Sequence, residues 1–223
     1  MEPVTRTPSG PPSSRGDLRR RLAARWPLPG HEALRDSLLD AWDAPERGYH
    51  GLVHLEEVLD RLEELAPGLP HPAREVRLAA WFHDAVYDGA EDPEGRSAEW
   101  ARLALTGTAP TGADVDVDEV VRLVLLTREH APEPTDASGV VLCDADLAVL
   151  AAAPQRYAEY VAGVRREYAH LDDRTFTAGR CRVLRTFLTR THLFSSPFAR
   201  EHWEGTARRN VERELARLER TGE

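Results

Sequence analysis

Residues 80–87, Ala80-Trp81-Phe82-His83-Asp84-Ala85-Val86-Tyr87, set a histidine and an aspartate side by side in an otherwise apolar helical segment. At helical spacing Val76, Ala79, Ala80, His83 and Tyr87 share one face, so His83 points where a core residue belongs and Asp84 flanks it. A charge at the edge of a core needs a partner or a metal ion. Two more stretches carry the same kind of insertion, Tyr49-His50-Gly51-Leu52-Val53-His54 and Leu142-Cys143-Asp144-Ala145-Asp146-Leu147. Three polar insertions into apolar segments point to one shared site, which we read as a metal centre.

Outward from that stretch the chain reads as helices throughout. Residues 1–15 are rich in Pro, Ser and Gly and lack a core pattern, which predicts a disordered tail. Asp17 then opens a short helix, and another runs from about His31 to Trp42. Leu52, Leu55, Leu59 and Leu62 form the stripe of the next, with His54 at its edge and His50 one turn earlier on the same side. The helix of the opening stretch is expected from near Pro72 to Tyr87. Asp92-Pro93 caps a helix reaching Leu105. Thr106 to Gly112 is expected as a loop, Asp116 or Asp118 as the cap of a helix over Val120–Thr127, and 131–139 as a polar loop. Val140 to Ala153 is a helix in which Asp146 falls within the packing stripe and Asp144 outside it. Amphipathic helices follow Pro154 and span Thr175–Thr191, and Ser196-Pro197 caps the last. No strand alternation persists. The expectation is an all-α bundle of roughly eight to ten helices, one domain over residues 16–223.

The 223 residues carry a net charge of -9 and a pI near 5.5, which disfavours nucleic-acid backbones and membrane surfaces as primary partners. Cys143 and Cys181 sit in apolar-leaning helical contexts and read as buried thiols. The absence of an apolar N-terminal run or a membrane-length stretch makes a cytoplasmic protein the default. Sequence leaves a homodimer open.

His54, His83, Asp84 and Asp146 make a mixed imidazole and carboxylate set. It suits Mn, Fe, Co, Ni or Zn, and Mg less well, as one or two ions. A metal ion makes hydroxide available near neutral pH, a nucleophile for phosphoesters. His50 is then placed to protonate a leaving oxygen or orient water. His130 is a candidate for a second metal or for a substrate phosphate. Each residue taken alone also has a plain reading, because a lone buried histidine is more often a hydrogen-bonded core residue than a ligand. Asp144 reads better as a cap or a supporting partner than as a ligand. Arg128, Arg165, Arg166 and Arg180 are the cations that could fold toward a phosphate.

Taken together, Tyr49-His50-x-x-x-His54, His83-Asp84 and Asp144-Ala145-Asp146-Leu147 resemble the HD superfamily of metal-dependent phosphohydrolases. The first stretch is also similar to the opening motif of its cyclic-nucleotide phosphodiesterase branch, except that Gly51 stands where that branch usually has Asn. From about Leu34 to Leu218 the chain looks like a group of bacterial predicted HD phosphohydrolases, through Trp81–Tyr87, Ser97-Ala98-Glu99, Thr127-Arg128-Glu129-His130, Asp144–Leu147 and Gly179-Arg180. The resemblance implies an HD-type helical domain with His54, His83, Asp84 and Asp146 as ligands. It gives catalytic roles to His50 and Asp84. It implies a small phosphorylated substrate, with a nucleotide expected. Glu91, Glu94 and Ser97 rank as substrate or supporting residues. The same superfamily offers two alternatives, a di-iron oxygenase and a non-catalytic nucleotide-binding regulatory module.

Overall fold

The computed structural model describes residues 14–68, 73–106 and 115–221. These form eleven α-helices: α1 (Arg15–Ala23), α2 (Glu32–Trp42), α3 (Leu52–Leu65), α4 (Ala73–Phe82), α5 (Pro93–Leu105), α6 (Val117–Leu126), α7 (Ala137–Leu147), α8 (Pro154–Glu167), α9 (Asp173–Thr189), α10 (Pro197–His202) and α11 (Glu204–Thr221). Short 3-10 turns follow α3 and α7, and no strand occurs among the described residues. The architecture is all-α. The count exceeds the expected eight to ten because the last segment divides. Trp203 turns into the core against Phe194 and Phe198, and the Glu204 carboxylate accepts the backbone N–H groups of Leu193 and Phe194.

Side-chain caps fix most helix starts, because the first N–H groups of a helix lack internal partners. Asp92, Asp116, Asp136, Asp172 and Ser196 each accept from a backbone N–H three residues on, opening α5, α6, α7, α9 and α10. The Asp136 cap starts α7 at Ala137, so the loop expected over 131–139 is shorter than its polarity suggests. Ser14 rather than Asp17 caps α1, with Asp17 returning the bond in a capping box. Ser14 and Arg15 therefore belong to the domain, and the rest of the expected tail lies outside the described residues. So do Pro70, Pro72 and most of the expected 106–112 loop.

Helix α7 is the centre of the packing, with α3, α4 and α6 against it. It is buried on nearly every side, as a helix apolar all round must be. That overturns the stripe argument: Asp144, placed outside the packing face, is more deeply buried than Asp146. Helix α11 packs across the 3-10 turn after α7 and against α9. No single helix among the described residues is long and apolar enough to cross a membrane.

The opening helix ends at Phe82, five residues before the expected Tyr87. Its final carbonyls find partners that stop it. The Trp42 indole N–H donates to Trp81 O (2.9 Å), the His83 ring bonds Ala80 O (2.8 Å) and Ala85 N donates to Phe82 O (2.9 Å). Arg47 then takes the carbonyls of Asp84 and Ala85, both at 2.8 Å, and that of His50 at 2.6 Å. One guanidinium thus ties the turn holding Asp84 to the turn holding His50.

That second turn crosses α8 at a pair of glycines. A Cβ on Gly48 would meet Gly163 O at 2.1 Å, and one on Gly163 would meet Gly48 O at 2.8 Å. Backbone cannot yield as a flexible side chain can, so Gly163→Ala is expected to cost about 1–3 kcal/mol. Thermal unfolding would then shift downward by several degrees. An unchanged melting temperature would contradict this close approach.

Candidate metal centre

Three elements bring the site together. His54 projects from the first turn of α3, His83 and Asp84 occupy the turn that ends α4, and Asp146 sits near the end of α7. Both imidazoles are almost fully enclosed, with 2% and 1% exposure. Aromatic rings wedge them: Trp42 lies 6.1 Å from the His54 ring and 5.3 Å from the His83 ring, and Tyr49 packs 4.7 Å from His54.

The donor atoms point at a common centre. His54 Nε2 and His83 Nε2 lie 3.3 Å apart. Asp84 Oδ2 stands 3.9 Å and 3.4 Å from them, and Asp146 Oδ1 stands 3.1 Å and 3.5 Å from them. Donors held about 2.1 Å from one ion stand roughly 3.0 Å apart at an octahedral corner and 3.4 Å in a tetrahedron. The spacings of 3.1 to 3.5 Å lie near those values, while His54 to Asp84 at 3.9 Å is longer. The cluster tight enough to hold a metal ion is His54, His83 and Asp84; Asp146 lies outside it, against the two imidazoles. The bond from the His83 ring to Ala80 O places a proton on Nδ1 and turns Nε2 inward, the usual support for a ligating histidine.

Electrostatics at this point favours a positive charge. Burial alone would depress His83, but the Asp84 and Asp146 carboxylates carry it up to about 9. Burial would likewise raise Asp146, yet His83, His130 and His54 hold it well below the usual carboxylate range. His54 is lowered, chiefly by burial. The same field that favours a proton on His83 favours a cation among the donors.

His50 does not share a helix with His54. Gly51 is the N-cap of α3, and His50 lies in the turn before it. Its position comes from Glu167 at the end of α8, a carboxylate that the sequence reading did not single out. Glu167 Oε1 accepts the backbone N–H groups of Gly48, Tyr49 and His50 (2.9, 2.7 and 2.8 Å), and Oε2 bonds His50 Nδ1 at 2.8 Å. His50 Nε2 is left facing Asp84 Oδ2 at 3.9 Å, with its ring stacked 4.0 Å from Tyr87. Nothing in the run Arg165-Arg166-Glu167 distinguishes this glutamate from a solvated one.

His130 bonds the second oxygen of Asp146, Nε2 to Oδ2 at 2.7 Å, leaving Oδ1 for the centre. It adopts a left-handed φ of 48°, uncommon for a residue other than glycine, and Arg190 grips its carbonyl and that of Glu129 (3.0 and 2.6 Å). The remaining expected site residues make contacts of their own, and Arg180 and Glu94 also line the cleft. Asp144 turns away and accepts the N–H groups of Ser195 and Ser196, both at 2.7 Å. Ser97 is buried, its hydroxyl accepting Val86 N–H at 3.0 Å just past Asp84. Arg128 pairs with Asp92 and reaches Glu94 at 3.8 Å. Arg180 is enclosed in an ion pair with Glu214 (2.8 Å) and donates to Tyr160 Oη (2.8 Å).

A cleft of about 520 Å³ opens over the centre, with His50, Asp84, His130 and Asp146 on its floor and Glu94 on a wall. A second hollow of about 220 Å³ reaches His54 and Asp146 from the other side. Tyr49 borders both, and its buried hydroxyl has no protein partner.

No protein-family model matches this chain, and no curated protein or solved structure shows significant similarity to it.

The Glu167 bond makes a sharp prediction about His50. In Glu167→Gln the amide oxygen can still accept the three backbone N–H groups, but its NH2 donates where Oε2 accepted. The neutral His50 ring is then expected to move its proton from Nδ1 to Nε2, read from imidazole nitrogen shifts by NMR. An unchanged tautomer would show that Glu167 does not set it.

Proposed function

We propose that this chain is a metal-dependent phosphohydrolase of the HD type, acting on a small phosphorylated molecule. The observation that carries the reading is the meeting of two imidazoles and the Asp84 carboxylate closely enough to hold one ion, with Asp146 against the same imidazoles, beside an open cleft that a separate imidazole, His50, also lines. His54, His83, Asp84 and Asp146 would hold the ion. The carboxylate share and an exposed approach favour Mn, Fe, Co, Ni or Zn over a purely structural site. When bound, a divalent ion supplies positive charge against phosphoryl oxygens and makes hydroxide accessible near neutral pH.

The chain's own groups do the rest. Glu167 holds His50 Nδ1 and so orients the ring, leaving Nε2 toward the cleft to deliver a proton to the departing oxygen. His130 fixes the rotation of the Asp146 carboxylate by occupying Oδ2. With His130 so engaged, we propose a single ion. A di-iron oxygenase would require His130 to leave Asp146 for a second ion. A purely regulatory module would give no task to the imidazole that Glu167 aims into the cleft.

Hydrolysis of a phosphoester panel by protein supplemented with each ion, and its loss on chelation, tests the reading. His50→Gln is expected to lower kcat by roughly 10²–10⁴-fold while the metal stays bound. Asp84→Asn is expected to lose both metal and activity. A His50→Gln variant as active as the parent would remove His50 from the chemistry.

A further inference from the structure

The walls of the cleft differ from its floor. Phe176, Val183 and Phe187 of α9 and Tyr168 and Leu171 of the α8–α9 connection line one side. Val183 and Tyr168 are 46% and 37% exposed, two of the five large hydrophobic residues most open to solvent among those described. A scattered exposed valine needs no account, but apolar groups gathered along α9 and the α8–α9 connection, with Leu147, Val149 and Leu150 also lining the cleft beside the polar site residues, mark a surface that a ligand covers.

The supply of cations in the cleft is small. The chain has no lysine. Of the two arginines that border the cleft, Arg180 is neutralised by Glu214 and also bonds Tyr160, while Arg182 is exposed and has no ion-pair partner among the described residues. Facing them are the carboxylates of Asp84, Asp146 and Glu94. A divalent ion offsets the two aspartates. One phosphoryl group then meets that ion, the imidazole of His50, and Arg182, while His130 stays bonded to Asp146. Each further phosphoryl group brings more negative charge, finds no further free cation, and meets Glu94.

From these two features we infer that the substrate carries a single phosphoryl group on an apolar, ring-bearing body, and that polyphosphates are rejected. The inference rests on the hydrolase reading and narrows it. The bond broken is the one between phosphorus and the ester oxygen. Water adds hydroxide to phosphorus, and the departing oxygen takes a proton, giving an apolar alcohol or phenol and inorganic phosphate.

The test uses the full-length, metal-loaded protein with phenyl phosphate, 1-naphthyl phosphate and pyrophosphate. The two esters have leaving groups of similar acidity and differ mainly in apolar area. The matching phenyl- and 1-naphthylphosphonates are titrated by calorimetry, so that binding is read apart from turnover. The naphthyl compound is expected to exceed the phenyl one by at least about tenfold in kcat/KM and in affinity, which needs only about 55 Å² of extra apolar burial. Pyrophosphate is expected to be at least about a hundredfold poorer than 1-naphthyl phosphate in kcat/KM, which charge repulsion of this kind can supply. Val183→Asp, at a half-open position that tolerates a polar group, should collapse the naphthyl preference toward unity.

Equal turnover of the two esters, a preference for pyrophosphate, or a preference untouched by Val183→Asp overturns the inference and leaves the hydrolase reading standing. No turnover of any ester with the phosphonate preference intact overturns the hydrolase reading and keeps the ligand class. No turnover and no preference overturns both.

Discussion

Two imidazole nitrogens face each other across 3.3 Å, with a carboxylate oxygen on either side, in a place that solvent barely reaches. Everything around them serves that arrangement. Carboxylates in a poorly hydrated setting are costly unless positive charge compensates them, so His54, His83, Asp84 and Asp146 are stable together only with a cation or a proton among them. The aromatic wedge of Trp42 and Tyr49 fixes the ring planes, and backbone carbonyls and Glu167 fix which nitrogen of each supported ring turns inward.

The supporting bonds come from distant parts of the chain. Arg47 joins the turn before α3 to the turn after α4, and Glu167 joins the first of these to the end of α8. Asp144 secures the segment before α10 to the buried helix α7. The Arg180–Glu214 pair, with Tyr157 donating to the same carboxylate (2.6 Å), binds α8, α9 and α11 into the wall that rises over the floor. The polar side of the cleft therefore rests on α3, α4 and α7 and the apolar side on α8 and α9, joined at the Gly48–Gly163 crossing, by Arg156 to Glu57 and by Glu167 to the His50 turn.

Much of this was legible from residue spacing. The periodicity of α3, α8, α9 and α11 and the caps at Asp92 and Ser196 are local signals, set by neighbours in sequence, and local reasoning finds them. His54, His83, Asp84 and Asp146 stood out because each interrupts an apolar run, and the structure brings those four together. What stayed hidden depends on contacts far apart in the chain. The stop of α4 at Phe82 needs Trp42 and Arg47, which no reading of residues 73–87 contains. Helix α7 is buried all round, so periodicity could not rank Asp144 against Asp146. Glu167 and Glu214 look like surface acids until the fold encloses them. The split at Trp203 follows from the bond that Glu204 makes back to Leu193.

The central claim is that these four side chains are ligands of one ion. X-ray absorption on the cobalt-loaded protein tests it most directly, because the outer-shell scattering of imidazole rings is countable. The account predicts one cobalt per chain with a nitrogen and oxygen shell that includes two imidazoles, and with one imidazole missing in His83→Ala. Failure to take up cobalt, or a shell of oxygens without imidazole, would contradict it and return the four residues to a buried hydrogen-bonded network.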